Sequence, residues 1–367
     1  MRSIYLFFVI ALFLLFVPKF LPSSNIKTSV INVFKYIALI FAISAFFGIR
    51  NTNIGLDSVR YLGWFREGSN SYIMQLKGQA EKGFEVLILC LHTLMYMPNS
   101  YISDKLFLFS MSFLIVLGNF IFYYKLDRKN CCTYLVLMSC FYYFYIFHLS
   151  MYRQAIAIGI VDISYLEFRH KCFIRYFLLG MLAFSIHYSA LIFLLFPVIN
   201  FFSQRIHKRC QHFIFFILLV FFLKTSIIKT IVSLIPDFSH GIAVLKSYIL
   251  YQNLGSVHIS HSHLITMFII FLTNVFFKVV QKNDFFDVFM FHTVYFVFIA
   301  LFQSSVVVYD RFYFYVQLFE PFIIFHFYSV VKEKKLAKYM ICFFVLTYSI
   351  FTIFIWGPRN LIQPYYL

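Results

Sequence analysis

Charged side chains are scarce in this chain. They make up 12% of its 367 residues, whereas hydrophobic residues make up 62%. A water-soluble domain of this length cannot bury so much apolar surface, so the composition excludes a soluble globular protein. The sequence therefore predicts an all-α, polytopic membrane protein.

Acidic residues and metal-binding patterns are scarcer still. Only 14 Asp and Glu stand against 31 Lys and Arg, which gives a net charge of +17. Many of the cations lie in short loops, which indicates membrane topology before it indicates nucleic-acid binding. The seven cysteines form no C-x-x-C pair, and no Asp-x-Asp motif occurs. Neither a disulfide framework nor a metal site is therefore indicated.

Apolar windows long enough for a transmembrane helix recur along the chain. The longer stretch at 173–202 is interrupted by His187 and is predicted to form two short helices that turn there. The stretch at 84–98 is short for a crossing and is predicted to be re-entrant. Residues 1–367 are thus predicted to form a single integral membrane domain with about twelve transmembrane helices. The other windows lie at 3–20, 29–48, 105–124, 132–147, 152–167, 212–234, 262–280, 286–308, 313–331 and 338–356.

Basic loops predict which side of the membrane each segment faces. Two long loops, near 49–83 and 235–261, are left on the external side. In the N-terminal half this requires either that 84–98 dips into the membrane and returns, or that the loop at 49–83 is cytoplasmic. We favour the first arrangement. The loops predicted to be cytoplasmic are 125–130, 167–175, 203–210, 279–284 and 331–338.

Arginines cluster on the predicted external side, where the positive-inside rule predicts few. A lone arginine at a helix end is usually a snorkelling anchor. Asp57, Arg60 and Tyr61 are spaced i, i+3, i+4, which is also typical of a local ion pair beside an aromatic anchor. As a set, however, the arginines suit an anion with several oxygens, because guanidinium groups bind phosphate through two parallel hydrogen bonds. The four are Arg50, Arg60, Arg153 and Arg311.

Five short motifs occur in an order that resembles the EpsG-type members of the Wzy polysaccharide polymerases. The resemblance implies a metal-independent membrane glycosyltransferase that uses no cofactor. It implies that undecaprenyl-pyrophosphate-linked oligosaccharide repeats are joined into O-antigen, capsule or exopolysaccharide, on the external face of the bacterial inner (cytoplasmic) membrane. The motifs are R-x4-G-x-D-x3-Y (50–61), E-x-G-F (81–84), M-x-R-Q-x2-A (151–157), H-Y-S-A-L (187–191) and Y-D-R-F-x-x-Y (309–315).

The resemblance also suggests roles for individual residues. His187 is the candidate base for the attacking sugar hydroxyl, or else it positions the acceptor; an intramembrane histidine is otherwise usually structural. Asp57 orients Arg60 or shares the base role. Arginines stabilise the departing pyrophosphate. Binding of pyrophosphate and glycan is assigned to Arg50, Arg60, Tyr61, Arg153, Gln154, Tyr309 and Arg311.

The expected partners are the lipid-linked oligosaccharide donor and acceptor, the membrane, a chain-length regulator and a flippase, with no nucleic acid. Two other functions stay open. A flippase of the same lipid-linked oligosaccharide also needs arginines, although transporters usually show paired halves with broken helices. A membrane acyltransferase that modifies polysaccharide uses an intramembrane histidine, but its acyl donor would arrive from the cytoplasmic side.

Overall fold

The computed structural model describes residues 27–50, 52, 55, 57–68, 81–98, 100–139, 141–205, 286–300 and 311–330. Over these ranges the secondary structure is helical and contains no strand. The all-α fold class is therefore confirmed for the described part of the chain. Described residues up to Leu191 belong to one compact unit, and those from Ile192 onward belong to a second. The single membrane domain expected for 1–367 stays a prediction.

Eight helices in the described ranges precede the break at His187. They are α1 (Lys27–Ile49), α2 (Ser58–Glu67), α3 (Lys82–Met95), α4 (Tyr101–Leu126), α5 (Cys131–Ser139), α6 (Tyr142–Leu149), α7 (Tyr152–Arg169) and α8 (Phe173–Ile186). The described elements that follow are a 3-10 helix (Tyr188–Leu195), α9 (Phe196–Arg205), α10 (Phe286–Ala300), a 3-10 turn (Phe314–Val316) and α11 (Phe319–Val330).

Helix α4 matches the predicted span at 105–124. It has 26 residues and a mean hydropathy of 2.1, and it is the only single helix in the described ranges that is both long and apolar enough to cross a membrane. The number of about twelve transmembrane helices is therefore not confirmed. Helix α7 covers the window 152–167, but it carries several charged side chains. The windows at 3–20, 212–234, 262–280 and 338–356 lie outside the described residues.

The window at 132–147 forms a bent pair of helices instead of one straight helix. Helices α5 and α6 are inclined to each other by 82°, and together they are apolar enough for one broken span or a re-entrant loop. The Ser139 hydroxyl donates to the carbonyl oxygen of Val136 at 2.7 Å. Such a bond gives the backbone an alternative to continuing the helix. Hydropathy alone does not detect a break of this kind.

The break predicted at His187 is confirmed. Helix α8 ends at Ile186, and His187 has an extended backbone with φ −153° and ψ 124°. The chain then continues as the 3-10 helix and α9. The reversal of direction at this point stays a prediction, as does the re-entrant path of the short helix α3.

Helix α4 lies at the centre of the first unit. It packs against α1 and α7, and α7 packs in turn against α8. Helices α4 and α7 cross closely at two glycines, since a Cβ atom added to Gly159 would lie 3.2 Å from the Cα atom of Gly118. Large aromatic side chains fill the surrounding interfaces; Tyr123, Tyr152 and Tyr165 are fully buried. The high aromatic content therefore serves packing in this unit.

The two ends of these helices differ in character. At the C-terminal ends, the buried Glu167 carboxylate pairs with Lys125 and, at 3.6 Å, with Arg175. This cluster joins the loops 125–130 and 167–175, which were predicted to face the same side. Lys125 and Glu167 lie near the C-termini of α4 and α7, so the two helices run in the same direction. Their N-terminal ends therefore lie on the same side of the first unit, where three of the four arginines predicted to be functional are found: Arg50, Arg60 and Arg153.

Candidate functional site

Arg50 follows α1 and closes the C-terminal end of α6. Its Nη1 donates to the carbonyl oxygen of His148, and its Nη2 contacts the Leu149 carbonyl oxygen at 3.5 Å. Nη2 also donates to Ser58 Oγ at 2.7 Å and to the Tyr152 hydroxyl. The last carbonyl groups of a helix lack hydrogen-bond partners within the helix, and here Arg50 is the donor to them. This guanidinium is therefore already engaged by protein atoms, and its contact with a substrate anion stays a prediction.

Gly55 lets the following loop approach the same helix end. Its φ angle is +104°, and a Cβ atom added there would lie 1.8 Å from the carbonyl oxygen of Leu149. Ser58 Oγ donates to this oxygen at 2.5 Å. Only glycine combines this backbone conformation with so close a contact. The glycine of the first motif thus fixes the path of the chain into α2.

Replacement of this glycine should destabilise the protein. We expect Gly55→Ala to cost at least about 1–3 kcal/mol, the usual cost of a strained backbone conformation, and the steric clash adds to this. Thermal unfolding of the purified protein in detergent measures the change. Gly63→Ala is the matched control, because a Cβ added there would have nothing within 4 Å apart from its chain neighbours and the backbone of its own helix. Equal melting temperatures for the two variants would contradict this account of Gly55.

Asp57 and Arg60 form the local ion pair that their spacing predicted. Asp57 precedes α2 as its N-cap residue. Its Oδ1 lies 3.8 Å from Arg60 Nη1, and the two side chains are 39% and 64% exposed. An exposed pair at this distance contributes little to stability. Both groups therefore remain open to a ligand that arrives from solvent.

Arg153 makes the contacts that connect the candidate site residues. It is the second residue of α7, and its side chain is only 20% exposed. Nη1 donates to Glu81 Oε2 at 2.6 Å, and Nε donates to the Tyr61 hydroxyl at 3.3 Å. Nη2 has no hydrogen-bond partner among the described residues. The guanidinium lies 5.7–5.9 Å from the ring centroids of Tyr61, Trp64 and Phe84.

These aromatic rings shape the electrostatics around Arg153. They hold the cation in a poorly solvated environment, where hydrogen bonds to an anion are strong. Burial raises the pKa of the Tyr61 phenol, although the charge of Arg153 partly offsets this effect. The phenol therefore stays neutral near physiological pH, so it accepts from Arg153 and keeps its own proton to donate.

Glu81 contacts Arg153 directly, and reasoning from sequence did not select it as a site residue. Its side chain is 6% exposed. While Oε2 binds Arg153, Oε1 accepts a hydrogen bond from the backbone N–H of Tyr188 at 3.3 Å. Two residues further on, a Cβ atom at Gly83 would lie 2.3 Å from Ser185 Oγ, so the start of α3 is in close contact with the end of α8. In the sequence, Glu81 is the first residue of the E-x-G-F motif. A scarce acidic residue on the side predicted to be rich in arginines could have indicated it as an ion-pair partner.

His187 lies beside the Tyr188 amide that Glu81 binds. The residue is 8% exposed. Its Nδ1 accepts a hydrogen bond from the backbone N–H of Ser189 at 3.2 Å and lies 2.7 Å from Ser189 Oγ. A backbone N–H can only donate, so Nδ1 must offer a lone pair. In the neutral ring the proton is therefore on Nε2, which makes Nε2 a hydrogen-bond donor.

The remaining predicted residues lie in different places. Gln154 is buried within α7, next to Arg153. Arg311 is half-buried and belongs to the second unit. Tyr309 lies outside the described residues. The structure thus joins Tyr61, Arg153 and Glu81 by hydrogen bonds. Asp57 and Arg60 lie beside Tyr61 at the start of α2, and His187 adjoins the Tyr188 amide that Glu81 binds.

Comparison with known proteins gives a match at the level of the family. The model of the EpsG family matches residues 33–367. No curated protein and no solved structure matches the chain. The matched range contains all five motifs, from Arg50 to Tyr315.

Proposed function

Because the chain belongs to the EpsG family, we propose that it polymerises undecaprenyl-pyrophosphate-linked oligosaccharide repeat units by glycosyl transfer. Membership confirms the resemblance carried by the motifs and gives the chain a role in polysaccharide biosynthesis. Its apolar helices are those of a membrane protein. The proposed location is the bacterial inner membrane, with the reaction on its external face. The products are O-antigen, capsule or exopolysaccharide.

The observation that supports this proposal most strongly is the arrangement around Arg153. Two nitrogens of its guanidinium are fixed by Glu81 and Tyr61, which leaves Nη2 for a ligand. The group lies at the N-terminal end of an 18-residue helix, where the helix dipole favours an anion. A guanidinium fixed in this way suits the oxygens of a pyrophosphate. A departing pyrophosphate needs positive charge more than it needs a proton donor, so arginines can serve where other glycosyltransferases use a metal.

The neighbouring groups suit the rest of the reaction. Arg60 and Asp57 are exposed to solvent, where the acceptor sugar can reach them. We propose that His187 contacts a phosphate oxygen or positions the acceptor hydroxyl. We retain Tyr61, Gln154, Arg50, Tyr309 and Arg311 as proposed binding residues for pyrophosphate or glycan. In this scheme the lipid-linked donor and acceptor, a flippase and a chain-length regulator are the partners.

Deletion of the gene tests the proposed function. We expect the deletion strain to carry single repeat units on its lipid anchor at the cell surface, because synthesis and export continue without polymerisation. Electrophoresis of the surface polysaccharide, together with mass analysis of the lipid-linked material, measures this. Accumulation inside the cell with no exposed repeat would indicate a flippase. A full-length polymer that lacks acyl groups would indicate an acyltransferase.

A further inference from the structure

The cation at the centre of the site already has an anionic partner. Arg153 and Glu81 are 2.6 Å apart, and their side chains are 20% and 6% exposed. One pyrophosphate oxygen can bind Nη2 without displacing a described group. A contact through two parallel hydrogen bonds also needs Nη1, so the second oxygen competes with the Glu81 carboxylate for that nitrogen. The pyrophosphate carries more negative charge and more acceptor oxygens, so it is the stronger competitor for a poorly solvated cation.

The competition changes the chemistry of the carboxylate. A carboxylate that loses its cationic partner in a nearly dry environment binds a proton more tightly. Glu81 does not lose its position at the same time, because Oε1 is held independently by the Tyr188 N–H. Its N-cap position before α3 also fixes the backbone, since the N–H groups of Phe84 and Glu85 bond to the Glu81 carbonyl oxygen.

We propose that Glu81 is the proton acceptor of the reaction and that binding of the donor pyrophosphate to Arg153 releases it for this role. This inference rests on the proposed function. It makes the base available only when a donor is bound.

The other candidate bases are less suitable. The Nδ1 lone pair of His187 is used by the Ser189 N–H, and Nε2 carries the proton in the neutral ring. The side chain of Asp57 is 39% exposed, and its one ion pair, at 3.8 Å, is long. Of these three described residues, Glu81 is the one that combines burial, a fixed orientation and a cation with which a pyrophosphate can compete.

The proposed step balances as follows. The acceptor hydroxyl oxygen forms a bond to the anomeric carbon of the donor, and its proton passes to Glu81 Oε2. The bond between the anomeric carbon and the phosphate oxygen breaks, and its electron pair leaves on undecaprenyl pyrophosphate. Arg153 stabilises the added negative charge. Glu81 then returns its proton to solvent and pairs with Arg153 again as the product leaves.

Binding and turnover of Glu81→Gln should change in opposite directions. The amide keeps an acceptor for the Tyr188 N–H but does not compete for Arg153. We expect farnesyl pyrophosphate and inorganic pyrophosphate to bind at least about tenfold more tightly, the equivalent of one charge-assisted hydrogen bond. Polymer formation should fall by about 10²–10⁴-fold, the usual contribution of a positioned base. Calorimetry on the full-length protein in nanodiscs and an assay with lipid-linked repeats measure the two effects.

The controls separate a base from a purely structural partner. Glu85→Gln, in the first turn of the same helix, should change neither binding nor turnover. If Glu81 only positions Arg153, Glu81→Gln will weaken pyrophosphate binding, and that result overturns the proposal. Binding of inorganic pyrophosphate without farnesyl pyrophosphate would mark a site for the free anion and would also overturn it. If the wild-type protein polymerises repeats but Glu81→Gln is fully active, only the role of Glu81 fails, not the proposed function.

Chemical rescue provides a second test if the amide variant folds poorly. Glu81→Ala leaves space where the carboxylate stood, and added formate can take the proton in its place. We expect formate to restore part of the lost polymer formation in Glu81→Ala and to leave Arg153→Ala unaffected. Absence of rescue in a Glu81→Ala protein that binds farnesyl pyrophosphate would overturn the assignment of Glu81 as the base.

Discussion

Arg153→Lys is expected to reduce polymer formation by at least about 10²-fold, the cost of one lost donor to a developing charge. Lysine keeps the positive charge but has a single nitrogen in place of a planar fork. It cannot contact Tyr61 and also bind two oxygens of a pyrophosphate through parallel hydrogen bonds. The rate of polymer formation from lipid-linked repeats, compared at equal protein abundance, measures the loss.

An exchange of charges provides the control for Arg153. Glu81→Arg combined with Arg153→Glu restores an ion pair between α3 and α7. We expect the double variant to recover abundance and thermal stability compared with either single variant, but to remain inactive, because the cation no longer lies at the start of α7. Recovery of polymer in the double variant would mean that the pair has only a structural role.

Substitutions at His187 should separate its two ring nitrogens. Asparagine places an oxygen close to the position of Nδ1, so it keeps the acceptor for the Ser189 N–H but has no donor at the position of Nε2. Glutamine can place a donor there. We expect His187→Asn to lose polymer formation by about 10²–10³-fold, the cost of a missing donor to the departing charge. His187→Gln should retain considerably more activity.

The reverse order would restore the role predicted from sequence. A base must accept a proton, and neither amide can do so. If His187→Gln is as inactive as His187→Ala while both proteins bind farnesyl pyrophosphate, the histidine is the base. The abundance of each variant in the membrane serves as the check on folding, since His187 also ends α8.

Local patterns predicted much of the site. The spacing of Asp57, Arg60 and Tyr61 places them on one helical turn, and α2 forms there with the ion pair in place. His187 interrupts an apolar stretch, and the helix ends there. These features depend on neighbours within a few residues. Periodicity and hydropathy describe such neighbours well.

Local patterns did not predict the contacts between segments that are distant in the sequence. Arg50 binds the carbonyl oxygen of His148, 98 residues away, and no local feature of the sequence marks that oxygen as a partner. Glu81 meets Arg153 across 72 residues. Tertiary packing decides both contacts.

The contact of Gly118 with Gly159 determines more than the packing of two helices. Helix α4 holds α2 through the pair of Arg66 with Asp104, so the wall formed by Tyr61 and Trp64 moves with α4. Arg153 moves with α7, and it lies six residues from Gly159, or about 9 Å along the helix axis. The separation of α4 and α7 at this glycine contact therefore sets the distance between the Arg153 guanidinium and the rings of Tyr61 and Trp64. A single methyl group added at either glycine would shift Arg153 relative to these rings, although neither glycine contacts the substrate in the proposed scheme.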